Sequence, residues 1–244
     1  MIQLSGVRKT FAQPVLKNIN LSIPTGCLYG LMGPGASGKS VLLKSAALLV
    51  KPDAGSVSVA GQDLTVLDQT GLQAFRMSFG MLFQNNALFD FMTVAENIAF
   101  PLKRLFELEY DQVKEMVAER LERVGLSGFE ARFPANLSGG QKKRIGLARA
   151  TITGAPVQLY DEPAAGLDPV TSQKIFDLLR REQQEAGSTV LMVSTDLDRL
   201  LSVVDRVGMM YEGELIFDGT VDEARSSRDT YVSQFVHGRP DGPL

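Results

Sequence analysis

The chain has 244 residues, 44% hydrophobic and 22% charged, an ordinary composition for a globular domain with ample apolar material for a core. Lys and Arg number 25 against 28 Asp and Glu, a net charge of −3, so no overall basic field recommends nucleic acid as a partner. The single cysteine, Cys27, excludes an intramolecular disulfide and suits a reducing compartment. The first residues lack the basic stretch and apolar run of a secretory signal, and no window approaches the ~18 apolar residues of a spanning helix.

In chain order, residues 3–11 and 18–23 read as short strands, and 26–32 as an apolar strand running into a glycine-rich turn. A helix is predicted over 39–49, an alternating edge strand over 56–59 and a further strand over 77–83. Residues 94–106 and 111–124 carry helical periodicity, and 141–151 reads as a helix with basic residues on one face. From Pro156 the pattern becomes regular: strand 157–160, helix 169–185, strand 189–194, short helix 196–202, then strands 206–211 and 214–218 around the turn Glu212-Gly213. Strands alternating with helices predict an α/β fold with a mostly parallel core sheet, beside a smaller N-terminal antiparallel layer and a helical insert.

Gly33-Pro34-Gly35-Ala36-Ser37-Gly38-Lys39-Ser40 fits the phosphate-loop pattern G-x-x-x-x-G-K-[ST], with a strand before it and a helix after. Glycines let backbone N–H groups converge on phosphate oxygens, and the helix N-terminus adds partial positive charge. Lys39 supplies an ammonium for the β- and γ-phosphates of ATP, and the Ser40 hydroxyl is a ligand for Mg²⁺. Further along, Val157-Gln158-Leu159-Tyr160 is a mainly apolar strand that ends in Asp161-Glu162. Carboxylates at the C-terminal end of a buried strand lie where ligands bind in open α/β sheets. Asp161 is the expected Mg²⁺ holder, and Glu162 the expected general base toward water.

Leu137-Ser138-Gly139-Gly140-Gln141, followed by the basic helix Lys142 to Arg149, is the signature of ABC-type ATPases, and the chain resembles that family over essentially its whole length. The resemblance implies the P-loop NTPase fold of an ABC ATPase as one domain over 1–244. Its core, with the antiparallel layer, would take 1–84 and 135–220, its helical subdomain 85–134, and a C-terminal extension toward a partner subunit 221–244. It also implies a head-to-tail homodimer with two ATP molecules between subunits, in which Ser138, Gly139, Gly140 and Gln141 reach the partner's nucleotide. Gln84 matches the family's glutamine loop, a contact for Mg²⁺ or the attacking water. Asp168, in Ala165-Gly166-Leu167-Asp168, matches the loop that crosses the dimer interface. Phe11 stands where the family places an aromatic against adenine.

One position departs from the family. After strand 189–194 the switch histidine is expected, and the sequence has Ser194-Thr195-Asp196; the only histidine is His237. A threonine hydroxyl is shorter than imidazole and carries no positive charge, which predicts weakened hydrolysis with ATP binding retained. Lys39, Asp161, Glu162 and the signature are nevertheless intact, which weighs against a merely regulatory ATP-binding subunit.

Cargo must come from subtler features. Ala87-Leu88-Phe89, then Met92-Thr93-Val94 and Glu96-Asn97, then Phe100-Pro101-Leu102, resemble the MlaF branch, the ATPases of bacterial phospholipid transporters. Gln234-Phe235 with the ending Asp241-Gly242-Pro243 does so too. That resemblance implies a peripheral protein on the cytoplasmic face of the bacterial inner membrane. Its partners would be an MlaE-like permease, an MCE-domain protein and a STAS-domain MlaB-like protein. The same engine serving another cargo, such as polar amino acids or ions, remains the alternative. A soluble ABC ATPase acting on nucleic acid or ribosomes fits less well, because there is one phosphate loop, one signature and no long insertion.

Overall fold

The computed structural model describes residues 1–244. The N-terminal layer contains β1 (Ile2–Thr10) and β2 (Pro14–Ile23), and the chain then enters the core sheet as β3 (Leu28–Met32) before α1 (Lys39–Ala46). It returns to the first layer as β4 (Ala54–Val59) and β5 (Gln62–Asp63), then forms α2 (Gln69–Arg76) and β6 (Phe79–Leu82). The helical arm is α3 (Val94–Leu105) and α4 (Tyr110–Arg123), followed by α5 (Gly139–Thr151). The core then completes through β7 (Val157–Asp161), α6 (Pro169–Ala186), β8 (Thr189–Val193), α7 (Leu197–Val203), β9 (Arg206–Tyr211) and β10 (Glu214–Thr220), and the chain ends in α8 (Val221–Arg225) and α9 (Thr230–His237).

The core sheet has the order β10-β9-β3-β8-β7-β6, parallel except for β10, and the second sheet has the order β2-β1-β4-β5, antiparallel throughout. The core strands are covered on both faces, which explains why β3, β7 and β8 are buried at every residue and show no alternation. Successive side chains still part to opposite faces. Tyr29, Leu31, Leu159, Leu191 and Val193 face α1 and the antiparallel layer, whereas Leu28, Met32, Tyr160, Val190 and Met192 face the cluster that includes α5, α6 and α7.

Three expectations need correction. Residues 56–59 do not form an edge, because β4 lies between β1 and the two-residue β5, too short to read from sequence. Helix α2 went unread; it is capped by Asp68 and only eight residues long, and although Leu72 and Phe75 pack against the core, none of its residues is fully buried. The basic residues of α5 are not one solvated face. Lys143 is buried, Arg144 donates to the Val124 carbonyl at 3.2 Å, and Arg149 donates to the carbonyls of Asn86 and Ala87 at 2.6 and 2.8 Å. Their spacing of one, two and seven residues from Lys142 spreads them around the helix, and each cation donates to backbone carbonyls.

The helical arm is tied to the core by a partly buried ion-pair cluster. Arg120 Nη1 lies 2.6 Å from Glu182 Oε2, Arg123 Nε 3.0 Å from Glu182 Oε1, and Arg123 also pairs with Glu185. The C-terminal segment folds onto its own chain: Ala224 and Val232 are fully buried, and the Tyr231 ring stands 4.8 Å from that of Tyr211. Gln234 holds the terminal residues back on α9, donating to the Arg239 carbonyl and accepting from the Leu244 N–H.

Candidate functional site

Strand register assembles the site. Leu31 pairs with Val193, Val193 with Asp161, and Tyr160 with Leu82, so β3, β8, β7 and β6 end level with one another. The loops leaving those ends carry Gly33 to Ser40, Thr195, Glu162 and Gln84 to one edge of the sheet, where open parallel sheets bind ligands. There they line a cleft of about 450 Å³ bounded by Gly35 to Val41, Gln84, Glu162, Val193, Thr195 and Val15. Val15, from β2, was not anticipated; nothing in its local pattern announces that β2 would reach the loop.

The loop geometry explains its glycines. Gly33 has φ +138°, and a Cβ there would stand 2.1 Å from the Met210 carbonyl oxygen. Gly38 has φ +100°, and its Cβ would meet the Val15 carbonyl at 2.8 Å. Both conformation and space therefore demand glycine at each position. Lys39 is buried and donates to the carbonyls of Gly33 and Pro34 at 2.8 and 2.7 Å and to Ser37 Oγ at 3.3 Å. Burial pulls its ammonium below the ordinary lysine range, opposed by the nearby carboxylates of Glu162 and Asp161. The group is thus a cation held over the cleft floor by carbonyls that a phosphate could replace.

Opposite the loop, Ser40 Oγ donates to Asp161 Oδ1 at 2.9 Å, and Asp161 is only 3% exposed. A hydroxyl and a carboxylate converging at the foot of a phosphate loop are hard oxygen donors of the kind Mg²⁺ takes alongside substrate phosphates and water. The residues present therefore fit that ion.

Glu162 is anchored on every side. Its φ is +49°, its N–H donates to the Val193 carbonyl at 2.9 Å, and its own carbonyl accepts from Lys143 Nζ at 3.2 Å. Its carboxylate Oε2 accepts from both the Thr195 N–H, at 3.0 Å, and the Thr195 hydroxyl, at 3.1 Å. Thr195 therefore spends its hydroxyl on the carboxylate rather than pointing it into open cleft. Lys143 was read as one member of a basic helix face. Its burial beside this site is the functional-site feature that sequence reasoning missed, and no local signal separates it from Lys142.

The remaining expected residues lie elsewhere. Ser138 caps α5 through a reciprocal box with Gln141, Gly139 and Gly140 pack toward Leu167 and Thr171, and none of the four lines the cleft of the same chain. Asp168 caps α6, its carboxyl held below the usual range chiefly by hydrogen bonds from Thr171. Signature and Asp168 loop thus form one continuous surface away from the cleft. Phe11 is 58% exposed, with Lys9 Nζ 5.4 Å from its ring centroid, outside the cleft lining.

Residues 16–165 match the family described as ABC transporter. The chain belongs to that family. Its relatives include the methionine import ATP-binding protein MetN of Caulobacter vibrioides, 42% identical over 226 residues that span 91% of this chain and 68% of that protein. The probable ribonucleotide transport ATP-binding protein mkl of Mycobacterium leprae is 36% identical over 244 residues, 100% of this chain and 70% of that one. Among solved structures, a dimeric ATP-binding cassette in a post-hydrolysis state with ADP and Pi superposes with a TM-score of 0.84 at 31% identity, covering 91% of this chain and 99% of its own. The protein is accordingly an ABC ATPase that binds and hydrolyses ATP, and no helix in it is long and apolar enough to cross a membrane.

Because a Cβ at position 33 has no room, Gly33→Ala is expected to abolish saturable binding of a fluorescent ATP analogue. Wild-type affinity in that titration would show that the loop reshapes at little cost.

Proposed function

We propose that this ABC ATPase powers movement of phospholipid or a related lipid across the bacterial envelope, as a sandwich homodimer seated on a separate permease at the cytoplasmic face of the inner membrane. In this reading the phosphate loop of one copy and Ser138, Gly139, Gly140 and Gln141 of the other enclose each ATP, with Phe11 against adenine and Asp168 at the interface. Their exposure outside the cleft of their own chain supports that division of labour. Ser40, Asp161 and Gln84 would hold Mg²⁺, which when bound neutralises charge on the β- and γ-phosphate oxygens.

Hydrolysis then follows from the anchored carboxylate. Glu162 takes a proton from a water whose oxygen bonds to the γ-phosphorus, the bond from that phosphorus to the bridging oxygen breaks, and ADP and Pi result. Lys39 stays paired with the phosphates throughout. Thr195 orients Glu162 through Oε2 but offers no cation to the γ-phosphate, so turnover is slow relative to a cassette with histidine at that position.

The lipid assignment is carried by one observation, the form taken by the MlaF-like segment 87–102. Thr93 and Glu96 form a capping box at the start of α3, and buried Asn97 pins the preceding loop through bonds to Phe89, Met92 and Thr93. Phe89 and Phe100 thereby meet as a tilted pair, centroids 4.8 Å apart, along an apolar groove of about 380 Å³ completed by Phe79, Phe83, Pro101 and Leu105. Such a groove suits an apolar helix of a permease. A second reading, import of an amino acid, is favoured by the 42% identity to the methionine import protein MetN.

Glu162→Gln should lower ATP turnover by at least ~10²-fold while nucleotide affinity persists; retained turnover would remove Glu162 as the base. Thr195→His, assayed with the permease present, should raise the steady-state rate. No gain would overturn the reading of weakened hydrolysis. Affinity purification from native membranes should recover an MlaE-like permease, an MCE-domain protein and bound lipid, with a STAS-domain protein as a possible fourth component. Recovery with an amino-acid permease instead would select the second reading.

A further inference from the structure

The buried ammonium of Lys143 is not accounted for by ATP binding or by the chemistry above. Lys143 is 4% exposed, and none of the chain's ion pairs includes it. A buried cation without such a partner must satisfy its three donors on neutral groups. Two such acceptors are carbonyls from distant parts of the chain, that of Gln84 and, at 3.2 Å, that of Glu162. Burial lowers its ammonium from the ordinary range, and the carboxylates of Glu162 and Asp161 oppose that shift.

The two carbonyls belong to segments that local forces leave poorly determined. Glu162 has φ +49°, and just after Gln84 come Asn86 at +60° and Ala87 at +50°. Side chains other than glycine occupy this left-handed region at a cost of about 1 kcal/mol each. Here α5 supplies what holds them, with Lys143 on Gln84 and Glu162 and Arg149 on Asn86 and Ala87. The same helix begins with Gly139-Gly140-Gln141 behind its Ser138 cap, so Lys143 lies two residues past the end of the signature.

We infer that Lys143 is a positioning residue for hydrolysis: its ammonium is a strut that fixes the Gln84 loop and the Glu162 backbone to one another and to the signature helix. A displacement of α5 or of the Gln84 loop then moves the carboxylate, although neither touches it. This inference rests on Glu162 as the base and deepens that reading. It requires no proton transfer by Lys143 itself.

The test is a double-mutant cycle of Lys143→Met and Glu162→Gln, with kcat and KM for ATP measured at steady state and the slowest variants in single turnovers. Lys143→Met keeps length and volume but removes every donor. It should lower kcat roughly tenfold with KM unchanged, as expected for a misplaced reacting group. In the Glu162→Gln background it should cause no further loss, because its effect passes through that carboxylate. Lys143→Gln, whose amide can still donate to a carbonyl, should recover part of kcat. An unchanged kcat, a raised KM with unchanged kcat, or losses that multiply would each overturn the inference. Should thermal melting show that Lys143→Met does not fold, Lys143→Gln takes its place in the same cycle under the same criteria. Full turnover by Glu162→Gln alone would instead reject the base assignment, a result distinguishable from failure of the strut.

Discussion

The parallel ladder joining β6, β7, β8 and β3 is the constraint on which the site depends. Its register aligns Leu82 with Tyr160, Asp161 with Val193, and Val193 with Leu31. A slip of one residue in any pair would turn the strand's apolar side chains to the opposite face and shift the following loop by more than 3 Å. The site tolerates neither change. Ser40 must stand 2.9 Å from Asp161, and Thr195 within hydrogen-bond reach of Glu162, although these groups come from widely separated parts of the chain. Because both faces of β3, β7 and β8 are buried, that register rests on how their side chains pack rather than on a polar–apolar alternation.

Around this rigid edge, the chain breaks local rules where its chemistry is concentrated. Ala36, Asn86, Ala87 and Glu162 are non-glycine residues with positive φ, and Lys39 and Lys143 are buried ammoniums. All of these but Ala36 have a compensating partner nearby. Backbone carbonyls receive the lysines, and cations from α5 receive the carbonyls of the strained loop. Strain held in this way by surrounding structure is typical of sites whose geometry matters more than their local stability. Lys39 and Lys143 both lie near the Asp161-Glu162 pair, one bonded to the phosphate loop and the other to the Gln84 loop.

Thr195 changes the balance of the site without disturbing its architecture. Its backbone N–H, which any residue at that position can supply, makes half of the contact to Glu162, and its hydroxyl makes the other half. Orientation of the carboxylate therefore survives the loss of histidine, whereas positive charge near the γ-phosphate does not. On the reading proposed above, nucleotide binding is retained while the electrostatic contribution to hydrolysis is reduced.

Much was legible in the sequence because the relevant signals are local. The phosphate loop needs glycine for its own backbone angles, the acidic pair follows its own strand, and the signature Leu137 to Gln141 is a contiguous run. The parallel α/β architecture followed from alternating apolar segments for the same reason. Tertiary structure alone decided which groups meet. Nothing near Val15 announces that β2 borders the cleft, nothing distinguishes buried Lys143 from Lys142, and the two-residue β5 exists only because β4 is there to pair with it. Those outcomes depend on strand register and on where unpaired carbonyls fall after distant segments pack, quantities that arise from pairs of residues and have no signature in either one.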